Sequence, residues 1–379
     1  MRSVPDYPAY KTARPPGTAR WLSATALLVL IGGGAGGLLP SAEGNSSLVA
    51  AVILVTLLLS VTGWLVRLLY YRVSVHNAAF YYQLVAYEQQ QWWAAHRQPL
   101  WLKEGLLLGP AGTRSVDWLR VLNREQRPPE EKKEGGGSAL RLPQISVMDP
   151  TVREKRLAEL LVIEWQKQRS EENLTPPLRC YWQGADIAWQ AFRAQMAIAF
   201  PDIALPARPE PWQGEASLAE IAGELAVAKP DDTILIAGCQ VIAPQSGTER
   251  PAGESAALWL AGLNGPVQLT RGETFSPEQG DILLTVFARA LEQSEMKDPP
   301  EACTLFSLPG LEELASTGWD VSQHLQDANW GEVGDMETLI VLSLAAIYAA
   351  HHQQPCGWIA RDPMNTLATG IVKPDGQHQ

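Results

Sequence analysis

Two stretches near the N-terminus are apolar and carry no charge: 21–39, WLSATALLVLIGGGAGGLL, and 48–66, LVAAVILVTLLLSVTGWLV. At about 1.5 Å per residue, each is long enough to cross a hydrocarbon core of roughly 30 Å. Only a few polar and small residues separate them, so the pattern predicts a transmembrane helical hairpin with a short loop. Arg2, Lys11, Arg14 and Arg20 precede the first run, Arg67 and Arg72 follow the second, and the loop carries only Glu43. That asymmetry places both termini in the cytoplasm. Gly32, Gly33, Gly36 and Gly37 form overlapping GxxxG spacings, which serve either to pack one span on the other or as the face of a homodimer.

From 67 to 102 the chain is rich in Tyr and Trp, which suits a helix near a membrane interface and equally an ordinary packing face. Helix-turn patterning continues through VDWLRVLNREQ and stops at RPPEEKKEGGGS, where Pro, mixed charge and a Gly run predict a solvated linker. The organisation expected is a tail (1–20), a membrane hairpin (21–72), a juxtamembrane helical segment with linker (73–137), and a cytoplasmic domain (138–379).

Within that cytoplasmic domain, helix-like and strand-like patterns alternate. TVREKRLAELLVIEWQKQRSEE, ADIAWQAFRAQMAIAF and SLAEIAGELAVAKP space their apolar residues as helices do, and DDTILIAGCQVIAP and ESAALWLAGL are short runs typical of buried strands. DILLTVFARALEQ and METLIVLSLAAIYAAHH add helices, the second apolar all round and therefore buried on most of its surface, and CGWIARD and LATGIVKP add strands. ALRLPQISVM reads as extended. Alternation of this kind predicts an α/β fold with helices layered on a sheet.

Charge and cysteine usage narrow the chemistry. The net charge of −11 argues against nucleic acid, whose recognition needs clustered Lys and Arg. Cys180, Cys239, Cys303 and Cys356 are scattered, with no metal-ligand spacing, which fits a reducing compartment and leaves no metal or other cofactor implied.

A helix followed by TILIAGCQ, a loop and GESAALWLAG resembles the thiolase-like fold of β-ketoacyl synthases. The C-terminal stretch NWGEVGDMETLIVLSLAAIYAAHHQQPCGWIARDPMNTLATGIVKP is similar to that family's closing unit of glycine-rich loop, buried helix and strand pair, and the likeness covers 178–374. The resemblance implies a cysteine nucleophile at a helix N-terminus, where the dipole favours a thiolate, and two further groups, His and His or His and Asn, to stabilise the oxyanion. Counting back along the helix puts the nucleophile position at Gln213 and Gly214, where there is no cysteine. The loop in which a histidine is expected reads Gly331-Glu332-Val333-Gly334-Asp335, with Glu332 and Asp335 as its ionisable residues.

What remains of a pocket is marked by Gly238, Cys239 and Glu254. Cys239 ends an apolar strand with no cation nearby in sequence to lower its pKa, the pattern of an inert buried thiol. Glu254 stands in the family's GE turn, with a capping role as the alternative. His351 and His352 close a helix, and His324 reads as a surface residue.

The expectation is a membrane-anchored, non-catalytic adaptor of a bacterial inner membrane that holds a protein partner and is similar to the accessory proteins found in type VI secretion clusters. Two alternatives stay open: a membrane-bound acyl-thioester enzyme, in which Cys239 would be acylated, and a sensor of an acyl carrier or small ligand.

Overall fold

The computed structural model describes residues 5–37, 45–169, 174–308 and 312–375. The chain divides into two compact units, Arg2–Trp93 and Ala94–Gln379.

In the first unit, α1 spans Thr18–Gly37 and α2 spans Asn45–His96. Among the described residues one helix, Ser47–His96, is long and apolar enough to cross a membrane, and Thr18–Gly32 is a shorter apolar helix. Two spans are predicted from sequence; one of spanning length is found, and the connection at 38–44 lies outside the described residues. The tail ahead of α1 lies along α2. Gln89 Nε2 donates to the Pro5 carbonyl (3.2 Å), the Tyr81 hydroxyl to that of Pro8 (2.8 Å), and the Ala13 N–H to Ser74 Oγ (2.9 Å). Two of these bonds run from α2 side chains to proline carbonyls of the tail, and the third runs from the tail's own N–H to α2.

The second unit opens with β1 (Leu100–Leu108) and α3 (Ser115–Leu122), followed by a small hairpin of β2 (Lys132–Glu134) and β3 (Gly137–Ala139). Next come α4 (Pro150–Gln168), β4 (Cys180–Gln183), α5 (Asp186–Ala199), β5 (Glu210–Pro211), α6 (Glu215–Leu225), β6 (Ile234–Val241) and β7 (Glu254–Gly262). The remainder is β8 (Val267–Leu269), β9 (Glu273–Phe275), α7 (Leu283–Gln293), β10 (Ala302–Leu305), β11 (His324–Leu325), α8 (Asp327–Trp330), α9 (Glu337–His352), β12 (Cys356–Ala360) and β13 (Leu367–Pro374).

The strands repeat one design twice. Outward from the β1–β8 pair, one half runs β1-β7-β6-β4-β5 and the other β8-β13-β12-β10-β11. In each half the first two pairings are antiparallel and the last two parallel. Helix α6, between β5 and β6, therefore corresponds to α9, between β11 and β12. Both helices share one apolar core with α3 and with strand residues of both halves, while α4 and α5 cover a second core and α7 a third. This layering explains the composition of α9: a helix enclosed on nearly every side has no polar face to keep. It also explains the unbroken apolar run of β6, whose Ile234 and Ile236 face the α6–α9 core while Leu235, Ala237 and Cys239 face the α4–α5 core.

The domain boundary expected near 137 is not where the chain divides. LWLKEGLLL, absorbed by the sequence reading into a juxtamembrane segment, is β1, paired with β7 on one side and β8 on the other. Its burial alternates over residues 100–103, and the register shift between Leu102 and Glu104 breaks that period before the three buried leucines at its end. The expected solvated linker is the β2–β3 hairpin. Glu134 accepts from Arg141 Nη2 (2.8 Å), and Arg141 also donates to the carbonyls of Gly253 and Ile242. A Cβ on Gly136 or Gly137 would lie 2.5 Å from the carbonyl oxygen of Pro244 or Gln245, so the Gly run allows close backbone approach. ALRLPQISVM, read as extended, enters β3 only at Ala139.

Candidate functional site

The two positions predicted for a nucleophile sit where β5 hands over to α6. Gly214 adopts φ 62°, ψ −130°, a turn that side-chain-bearing residues resist, and its carbonyl accepts the Leu218 N–H (3.2 Å) to begin the helix. A Cβ at position 214 would stand 2.5 Å from Asp362 Oδ2. The Gln213 N–H is taken up by Ser217 Oγ (2.8 Å).

Asp362 comes from the other half of the fold, just after β12. Its Oδ2 accepts the Glu215 N–H at the N-terminus of α6 (3.2 Å), while Oδ1 is fixed by the Met364 N–H (3.0 Å) and Asn365 Nδ2 (2.9 Å). Unpaired N–H groups and the positive end of the dipole make a helix N-terminus the natural place to hold a developing anion. Here a carboxylate of the protein occupies it.

Glu215 adds a second acid. It is buried, its Oε2 accepts the Gly272 N–H (2.9 Å), and Arg271 Nε lies 3.7 Å from Oε1, beyond hydrogen-bond reach. Burial therefore outweighs the cation and raises the Glu215 carboxyl to about 8. Glu273 next door is also held above the usual carboxylate range by burial, although Arg289 Nε reaches its Oε2 at 3.1 Å.

The corresponding end of α9 is built from the loop predicted to have lost its histidine. Glu332 is half-buried and faces Arg361 at 4.0 Å; Asp335 is exposed, and its N–H donates to Gln240 Oε1 (3.1 Å). At the helix start Glu337 Oε1 accepts the Arg361 N–H (2.8 Å), and burial raises its pKa. The consecutive residues Arg361 and Asp362 thus tie together the N-termini of the two corresponding helices. Glu332 and Arg361 also line an adjoining polar cleft of about 380 Å³ together with Arg250 and Thr248.

The remaining candidates lie elsewhere. Gly238 is on the α9 side of β6, where a Cβ would meet the Gln183 carbonyl at 2.6 Å and Met336 Sδ at 3.0 Å. Cys239 points to the opposite face, into the α4–α5 core, and burial pushes its thiol well above its ordinary pKa. A sheet thus separates it from the α6 N-terminus. Glu254 is fully buried and paired with Arg153 of α4: Arg153 Nη2 donates to Oε1 (2.7 Å), and Arg153 also reaches the carbonyls of Ile145, Val147 and Leu142. It fastens α4 to β7. His351 and His352 end α9 at the far end from Glu337, and His324 packs edge-on against Tyr348 (5.7 Å) with its pKa lowered by burial. Among the described residues no cluster of three or more His, Cys, Asp and Glu is arranged to hold a metal ion.

The sequence reading names Gln213, Gly214, Glu332 and Asp335 but not Asp362, Glu215, Arg361 or Glu337. The signal for these was faint: an acid as the first residue of α6 and of α9, and an Arg-Asp pair following a strand.

No family model matches the chain, and no curated protein does. Solved structures do. The chain is similar to the ishigamide ketosynthase/chain length factor, with a TM-score of 0.52 and 11% identity over 73% of this chain and 99% of that one. It is similar to the ketosynthase from module 1 of the bacillaene synthase of Bacillus amyloliquefaciens FZB42 (TM-score 0.51, 10% identity, 74% and 76% covered). A third likeness is to the module 6 ketosynthase of the bacillaene synthase of Bacillus subtilis 168 (TM-score 0.50, 11% identity, 74% and 71% covered). The fold is a mixed α/β, thiolase-like one, as the resemblance implies, and at these identities the likeness shows the fold alone.

Proposed function

We propose that this protein is a membrane-anchored, non-catalytic adaptor whose thiolase-like unit serves as a binding surface. The observation that carries this reading is the occupation of the α6 N-terminus by Asp362: the place where an acyl oxyanion would be stabilised already holds a carboxylate, and the residue beside it is Gly214 rather than a nucleophile. No thiol stands among the groups there, and the nearest hydroxyl, Ser217 Oγ, is buried and accepts the Gln213 N–H within the first turn of α6. The acids Glu215 and Asp362 beside it would oppose a developing oxyanion. The anchor rests on α2, on the shorter apolar α1, and on basic residues flanking both apolar runs, which favour cytoplasmic termini.

The test is to incubate the detergent-solubilised protein with acyl-thioesters and determine its intact mass. The expected result is no acyl adduct, and acylation at Cys239 or any other residue would overturn the non-catalytic reading. Affinity capture from solubilised bacterial membranes should recover a protein partner, with components of a type VI secretion assembly as the particular class proposed. Capture of lipid-synthesis enzymes alone would replace that class with the acyl-carrier sensor.

A further inference from the structure

From the end of the apolar run of α2 onward, one stripe of the helix stays exposed within its own unit. Val66, Tyr70, Val73, Phe80, Leu84 and Tyr87 are between 48% and 62% exposed. With Asn77, also exposed, they recur at alternating intervals of four and three residues over three full heptads. That is the spacing of the inward positions of a coiled coil, which keeps one seam facing a helical partner over its whole length. The N-terminal tail does not fill the seam, because it lies on a neighbouring face through Ser74, Tyr81 and Gln89.

We infer that this seam is the interface between two copies of the chain, paired parallel and in register. Three observations select that occupant. Asn77 is the single polar residue in an otherwise apolar and aromatic seam, and it meets its own counterpart only when the helices are parallel and unshifted; one buried Asn at such a position fixes register at some cost in stability. The positions beside the seam are Leu69, His76 and Gln83 on one side and Arg67, Ser74, Tyr81 and Glu88 on the other; the two charges, Arg67 and Glu88, lie three heptads apart on one side, so no opposed charge pattern rejects a like chain in favour of a different one. The orientation rests on the proposed membrane reading, because two copies anchored by the same helix leave the bilayer in the same direction. On that reading a helix continuing unbroken out of the membrane also cannot lay this face on the bilayer surface.

The test uses the full chain in detergent or nanodiscs, with single cysteines placed at Val73, Phe80 or Leu84 on the seam and at Val75 or Tyr82 on another exposed face. The native cysteines are all buried and add little background. Disulfide-linked homodimers are expected from the three seam positions and not from the two controls. A V73E/F80E double variant should show a halved protein mass by light scattering, and Asn77→Leu should spread the wild-type species over several oligomer sizes. A monomeric wild type, equal crosslinking at all five positions, or linkage of the seam cysteines to a different protein would each overturn the inference. Carbonate extraction of the same membranes reports anchoring separately: a chain released by carbonate that still crosslinks on the seam refutes the membrane reading and leaves the pairing standing.

Discussion

Glu215 is the residue at which the fold's electrostatics depart most clearly from those of an ordinary carboxylate. Its folded pKa is raised to about 8 from an ordinary 4.5, with burial as the largest cause. Between those values the folded chain keeps a proton that the unfolded chain has released, so this group makes the protein less stable as pH rises through the window. Glu215→Gln keeps an acceptor for the Gly272 N–H and removes the titration. Denaturant midpoints measured from pH 5 to pH 8 should therefore fall less steeply in the variant than in the parent. Parallel profiles would show that Arg271 keeps Glu215 ionised throughout. The residues that fill the site were illegible in the sequence for a simple reason. Glu215 and Asp362 meet across 147 positions, and a carboxylate gives no local sign of whether it faces water or a helix end.

Elements were legible where they are long or strongly patterned. Helices α4, α5, α6, α7 and α9 and strands β6, β7, β12 and β13 lie within the segments read from apolar spacing, with ends differing by a few residues. Four-residue strands such as β4 and β10 are too short to show a period, and in β1 the register shift breaks the alternation midway. Strand β6 also separates packing from chemistry at neighbouring positions. Cys239→Ala removes one buried sulfur and should cost about 1–2 kcal/mol with biological function intact. Gly238→Val should cost clearly more, since its Cβ would meet the Gln183 carbonyl and force β4 and β6 apart. Thermal denaturation with a complementation assay checks both. A folded, abundant Cys239→Ala protein that fails to complement would return the enzyme reading to contention.

The topology proposed for the whole molecule has its own test. A reporter fused after residue 379 should behave as a cytoplasmic one, and periplasmic activity there would reverse the orientation drawn from the flanking charges. The doubled architecture also locks two distant positions to one another. Gly214 belongs to one half of the fold and Asp362 to the other, and each fits only because the other is as it is. A side chain placed at position 214 would collide with the Asp362 carboxylate in a backbone conformation that favours glycine. Removing Asp362 alone would leave the start of α6 uncapped, a loss of about 0.5–2 kcal/mol. Neither position can change by itself without a step that is worse than either end, so the two halves hold each other in place like a ratchet.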